Sequence, residues 1–357
     1  MFKFQEYFYS AVEERLSECE TEEERKESLR KIEESIPEIC DEMAEVMLDT
    51  IKEDVSSGLL EEMRQDRRGF EQRLRKLWGE PLDLLEMFIA AALEAGSEFN
   101  EKHRKDSVAA NDAVFHALTQ LHARACQISS AILVLLNSGF ADDADARWRS
   151  LHEIAVVSCF LCDRGQELAE RYLYHEVIQQ YKLACEHQKH YRRLNDEPIS
   201  QEEFDNLETL RNKLVCQFGD QFKGPYGWAA NELGVGRPNF TDIEKETGLG
   251  HWRPHYKMAS DNVHANSHGA VFRLGLYLAE EKVLLAGPSD ARLVDPGHST
   301  AISLNQVTTA LLSTRTSLDS IVVSAMLTKL EREIGESFLQ AHHQFEANTL
   351  EGRRPDS

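Results

Sequence analysis

"VAANDAVFHALTQLHARACQISSAILVLLNSG", residues 108–139, decides the fold class. Within it Val114, Leu118, Leu121, Ala125, Ile128, Ile132 and Leu135 recur at three- and four-residue spacing, so they line one face of an α-helix. Asn137-Ser138-Gly139 supplies the stop. The neighbouring segments have the same character. "DLLEMFIAAALEAGSEF" precedes it, and "DADARWRSLHEIAVVSCFLCD" and "GQELAERYLYHEVIQQYKLACEHQKHYRRL" follow, with no proline between Pro81 and Pro198. Long helices joined by short turns pack as antiparallel neighbours. The expected fold is all-α, a multi-helix antiparallel bundle with no strand and no internal repeat.

Outward from that core the chain changes twice. Residues 1–79 read as acidic helices: "FQEYFYSAVEERL", "TEEERKESLRKIEESI", "EICDEMAEVMLDTIKEDV" and "LLEEMRQDRRGFEQRLRKLW". Thr21 followed by Glu24 is a capping-box pair that starts the second. "GEPLD" at 79–83 is the first Gly/Pro punctuation and is taken as the boundary of an N-terminal helical region, with a core domain over 80–350. Residues 218–254 are dense in Gly and Pro and read as an irregular insert with short helices. After a Gly/Pro turn region at 287–297 a single long helix closes the chain from about Thr300, and residues 351–357 form a disordered tail.

With 357 residues, 41% of them hydrophobic, the chain can bury one large core or two modest ones. No run approaches the roughly 20 apolar residues of a membrane span, and the N-terminus turns acidic within six residues, unlike a signal peptide. Seven scattered cysteines fit reduced thiols in the cytoplasm. The formal charge of −22 opposes indiscriminate binding to nucleic acid or anionic lipid. Residues 1–50 hold sixteen Asp and Glu against six Lys and Arg, so a balance of −10 sits in the first seventh of the chain.

Three clusters are candidates for chemistry. In "DADARWRSLHE", Arg149 and Glu153 lie four apart on one helical face, and the apolar run that follows buries their helix on most sides. That pair is either a structural ion network or a functional one. Arg147 and His152 have the spacing of the Arg-x4-6-His motif of HEPN ribonucleases, in which the His deprotonates a ribose hydroxyl and the Arg steadies the phosphate without a metal. Five residues turn a regular helix by about 140°, so both can face one point only if Arg147 sits at an irregular helix start. In "SDNVHANSHG", 260–269, Ser260, His264 and His268 form an i, i+4, i+8 stripe. A metal there lacks a third ligand in sequence, so acid–base work by His264 is the stronger functional reading and packing the plain one. No metal and no cofactor is expected.

Two further clusters point elsewhere. Cys159-x-x-Cys162 lies inside an apolar helix and reads as small buried hydrophobes. Lys182, Lys189, Arg192 and Arg193 form the basic end of a long helix, the best candidate for a patch facing the phosphates of RNA or a nucleotide, although a helix C-terminus favours cations in any case.

Taken together, "NSGFADDADARWRSLHEIAVVSCFL", "ERYLYHE" and "WRPHYKMASDNVHANSHG" resemble the prokaryotic domain-of-unknown-function family 5677 over roughly residues 100–280. That resemblance implies an all-helical protein without an established activity, some relatives lying among suspected antiviral or toxin-like genes. It matches a helical Arg-x-x-x-Glu to Arg149 and Glu153, and a Tyr-x-x-x-Ser-x-x-x-His to Tyr256, Ser260 and His264. It implies that these five converge from two facing helices. Two functions follow as expectations: a metal-independent HEPN-like endoribonuclease or toxin of antiviral defence, with acid–base work by His264 or His152 and phosphate binding by Arg149 or Arg147; or a non-catalytic helical protein- or ligand-binding module whose Arg/Glu/His network is structural. Besides RNA or a nucleotide, the expected partners are a protein at the acidic N-terminal helices and further copies of the chain as a homo-oligomer, with no membrane.

Overall fold

The computed structural model describes residues 4–264, 267 and 285–352. All its regular elements are helical, as the periodicity predicts. Among the described residues twelve α-helices run in order: α1 (Phe4–Ser17), α2 (Glu22–Ser56), α3 (Leu59–Ala109), α4 (Ala113–Asn137), α5 (Ala141–Arg164), α6 (Gln166–Leu194), α7 (Gln201–Phe218), α8 (Ala230–Leu233), α9 (Phe240–Glu246), α10 (Arg253–Asp261), α11 (Val294–Ser313) and α12 (Leu318–Gly352). Three short 3₁₀ turns lie between α7 and α10. The chain forms two compact units, residues 1–70 and 71–357.

In the first unit α2 starts at the capping box that Thr21 and Glu24 predict: the Thr21 hydroxyl accepts the Glu24 N–H at 3.2 Å, and the Glu24 carboxylate accepts the Thr21 N–H at 3.2 Å. α1 lies against α2, but no residue of α2 is fully buried. The sequence divides this helix at Pro37 and breaks the next at Gly79–Pro81, yet both prolines lie inside continuous helices. At Pro81 the reason is packing. Trp78, Leu82, Leu85 and Phe88 are completely buried, and that apolar face outweighs the one hydrogen bond a proline removes.

In the second unit the face read from residues 108–139 is the face that packs. Leu118, Leu121, Ala125, Ile128 and Ile132 are buried, while Val114 and Leu135 at its ends are half-buried. α4 packs on α5 and on α11, and α5 packs on α11. Trp148 of α5 fixes that last contact: its indole N–H donates to the Ser299 carbonyl and the Ser303 hydroxyl, both at 3.0 Å. The closing helix predicted as one element is two, α11 and α12, broken at residues 314–317. Ser317 and Ser320 cap the restart, each hydroxyl accepting the other's backbone N–H. The segment between α7 and α10 is short-helical, as expected, and contributes to the core: Phe222, Trp228 and Ile243 are buried beside α5 and α6.

Candidate functional site

Arg149 and Glu153 are one turn apart on α5, and both project toward α10. There Tyr256 stands between them. Its hydroxyl accepts a hydrogen bond from Arg149 Nη2 at 2.8 Å and donates one to Glu153 Oε1 at 2.6 Å, while the Arg149–Glu153 ion pair closes the triangle at 3.0 Å. The Arg149 guanidinium also lies over the Tyr256 ring, 4.9 Å from its centre. Burial, reinforced by the hydrogen bond to Glu153, raises the Tyr256 phenol pKa, so it stays a proton donor across the physiological range.

His152 follows Leu151 on α5 and faces another partner, as the helical rotation requires. Its Nε2 lies 2.9 Å from Glu244 Oε1, and each side chain is only 1% exposed. Arg253 completes the second cluster, donating to Glu244 Oε2 at 3.0 Å and to the Thr241 hydroxyl. Burial holds the His152 pKa below its usual value against the pull of Glu244. The ring is therefore neutral at neutral pH, and Nε2–H donates to the carboxylate, whose charge Arg253 balances. The two clusters share Tyr256: the Arg253 guanidinium lies 5.1 Å from its ring centre, and the His152 ring 5.9 Å away.

Of the seven candidate residues, Arg149, Glu153 and Tyr256 are brought into one hydrogen-bonded group. Ser260 turns its hydroxyl back onto the Tyr256 carbonyl at 2.7 Å, within α10. His264 lies past the end of α10 on an exposed bend, its backbone N–H bonded to the Ser260 carbonyl at 3.2 Å. Among the described residues no hydrogen bond joins its ring to the triangle. Arg147 is half-exposed and His152 is sealed, and no hydrogen bond links them among the described residues. His268 lies outside the described residues, as does the tail from 353.

Glu244 and Arg253 do not stand out in the sequence, because the cluster forms only when Glu244 meets His152, 92 residues earlier, and Arg253 reaches back to Glu244 across the insert. The local signal was the Asn239–Asp242 capping box, which starts α9 and so sets the position of Glu244. Tyr226 is a further neighbour: half-buried, its pKa is raised by burial and by the Glu153 charge.

Elsewhere Cys159 and Cys162 are half-buried on α5, packed against the apolar core. Burial pushes the Cys159 thiol up to about 11, Cys162 shifts the same way, and all seven cysteines are free. No group of three or more metal-ligating side chains occurs among the described residues. Lys182, Lys189, Arg192 and Arg193 are exposed at the end of α6, where Lys189 pairs with Glu186 at 2.6 Å. No described helix is long and apolar enough to cross a membrane.

The fold and site thus define an all-α protein whose central polar group is an Arg–Tyr–Glu triangle backed by a buried His–Glu–Arg cluster. Residues 115–277 match the model of DUF5677, a family of unknown function, and that span contains every residue of both clusters. No curated protein and no solved structure matches the chain.

Proposed function

We propose that the chain is a non-catalytic, cytoplasmic helical binding protein, in which the Arg149–Tyr256–Glu153 triangle fixes the seating of α10 on α5 and the acidic first unit recruits a protein partner. The observation that carries this reading is the saturation of Tyr256: its hydroxyl is spent on both Arg149 and Glu153. A general base must reach the proton it removes. His152, the residue with HEPN spacing, is instead sealed against Glu244. Partly buried polar groups that hold one another, as Tyr256, Glu153 and Arg149 Nη2 do, specify a packing arrangement, although the Arg149 Nε–H has no hydrogen-bond partner among the described residues.

The second reading, a metal-independent ribonuclease of bacterial defence, is favoured by one observation. His264 is exposed, and so is the basic end of α6. Incubating the purified chain with total cellular RNA, with and without a chelator, separates the two. We expect intact RNA in both cases and no difference from His264→Ala. Cleavage by the wild type that His264→Ala abolishes, with unchanged thermal stability, would overturn the binding-protein reading.

A further inference from the structure

A cavity of about 500 Å³ opens where the end of α3, the start of α4 and the first turns of α6 meet, a size that suits a small-molecule ligand. Its shape rests on Gln166. The Gln166 amide nitrogen donates to the Asn111 carbonyl at 2.8 Å and to Glu170 Oε1 at 2.9 Å, while the amide oxygen accepts the Ala113 N–H at 2.9 Å. Those bonds hold Asn111 in the left-handed conformation, φ 51°, that turns the chain from α3 into α4. Val108, Ala113 and Leu173 give the cavity apolar walls, and the exposed ring of Tyr174, set against Phe218, lines it too. The lining lacks partners in two places. Ser107, only 3% exposed, has a hydroxyl with no hydrogen-bond partner among the described residues. Helical serines elsewhere in the fold bond back to the carbonyl four residues before, as Ser129 does to Ala125 at 2.9 Å. A buried hydroxyl left unpaired costs about 1–3 kcal/mol, which a ligand's polar group can recover. Glu170 spends Oε1 on Gln166 and forms no ion pair among the described residues, which leaves Oε2 open.

Charge sets the ligand class. The lining holds two carboxylates, Asp112 and Glu170, and no Lys or Arg. Asp112 is already engaged: Arg315 pairs with one oxygen, and the other accepts the Phe115 N–H at 3.0 Å, capping α4. The helix N-terminus that would draw an anion is thereby filled. What remains for a ligand is the Glu170 carboxylate and the Tyr174 ring, alongside the Asn111 amide and the His116 imidazole. A carboxylate beside an aromatic face and apolar walls suits a cation.

We propose that this cavity binds a small organic cation, a protonated amine carried on an apolar or aromatic body. The ammonium pairs with Glu170 Oε2 and the Tyr174 ring, and the body fills the space between Val108, Ala113 and Leu173. A polar group of the ligand gives the Ser107 hydroxyl its partner. Arg149, Tyr256 and Glu153 are not part of this lining, so the site goes beyond the structural triangle and the recruited protein partner and stands without either.

The test titrates the full-length chain by calorimetry with tryptamine and phenethylamine, and with indole-3-acetate, which keeps the tryptamine frame but carries a negative charge. The tighter-binding amine should bind roughly tenfold more tightly than indole-3-acetate, or better. Glu170→Gln keeps the acceptor that Gln166 uses and should weaken that amine by roughly tenfold. Glu176→Gln, the same charge change on α6 outside the cavity, should bind it like the wild type. Ser107→Ala should weaken it by roughly threefold while leaving the thermal midpoint unchanged or raised, because no hydrogen bond within the fold is lost. Failure of both amines to bind at about 10 mM would overturn the proposal. So would equal affinity for indole-3-acetate, or an affinity that Glu170→Gln leaves untouched.

Discussion

Tyr256 is the residue on which the site turns, because it touches both clusters. Replacing it with Phe keeps the ring against Arg149 and Arg253 but deletes the hydroxyl bridging Arg149 and Glu153. Hydrogen bonds to charged groups contribute roughly 1.5–3 kcal/mol, so Tyr256→Phe should lower unfolding stability by about 2 kcal/mol in denaturant titration. Asp145 should show the opposite sign. It is 2% exposed, and burial, with Asp295 and Asp142 nearby, pushes its pKa up to about 7. A carboxyl raised in the folded state contributes stability below its unfolded pKa near 4, and loses it as pH rises through 7. Asp145→Asn should therefore stabilise the protein at pH 8 by on the order of 3 kcal/mol, and markedly less at pH 5. Denaturation midpoints at the two pH values check this.

At the scale of elements, helices were legible where one face is apolar, and their boundaries were legible where a cap is local. The capping box at Thr21 starts α2 on short-range hydrogen bonds. The break before α12 was missed because Thr, Arg and Ser at 314–317 form no Gly/Pro punctuation, and the stop depends on the Ser317–Ser320 pair. Pro37 and Pro81 misled in the opposite direction, since at Pro81 tertiary burial outweighs the local cost. Close helix approach is equally invisible in a sequence. Gly96 of α3 passes so near α4 that a Cβ there would lie 2.2 Å from the His122 ring. That ring is 4% exposed and holds Thr308 of α11 at 3.2 Å, so it has no room to retreat. Gly96→Ala should cost about 2–3 kcal/mol through this overlap, more than the modest gain alanine brings to a helix, as thermal unfolding would show.

For the whole molecule, buried neutral histidines and the buried carboxyl of Asp145 oppose one another in the response to acid. Burial pushes His122 down to about 4 and also lowers His152 and His175. A histidine whose folded pKa is depressed contributes stability above its unfolded pKa near 6.5, and loses it as pH falls toward the folded value. For His122 alone the loss between pH 7 and pH 4 is roughly 3 kcal/mol, and Asp145 offsets a similar amount over the same window. Between pH 7 and pH 4 the wild type should lose roughly 3 kcal/mol more stability than His122→Asn, as denaturant titrations at the two pH values would show. The same scale explains what the sequence could reveal of the site. Arg149 and Glu153 were visible as a one-turn pair, and Tyr256 through the family resemblance. Glu244 was not, because only the folded insert brings it to His152.

The central claim is that the triangle is a structural tie between α5 and α10. A double-mutant cycle on unfolding free energy, with Glu153→Ala, Tyr256→Phe and the pair, tests it most directly. The expected coupling is about 1–2 kcal/mol, as for residues sharing one hydrogen-bond network. Additive losses, with coupling near zero, would contradict it.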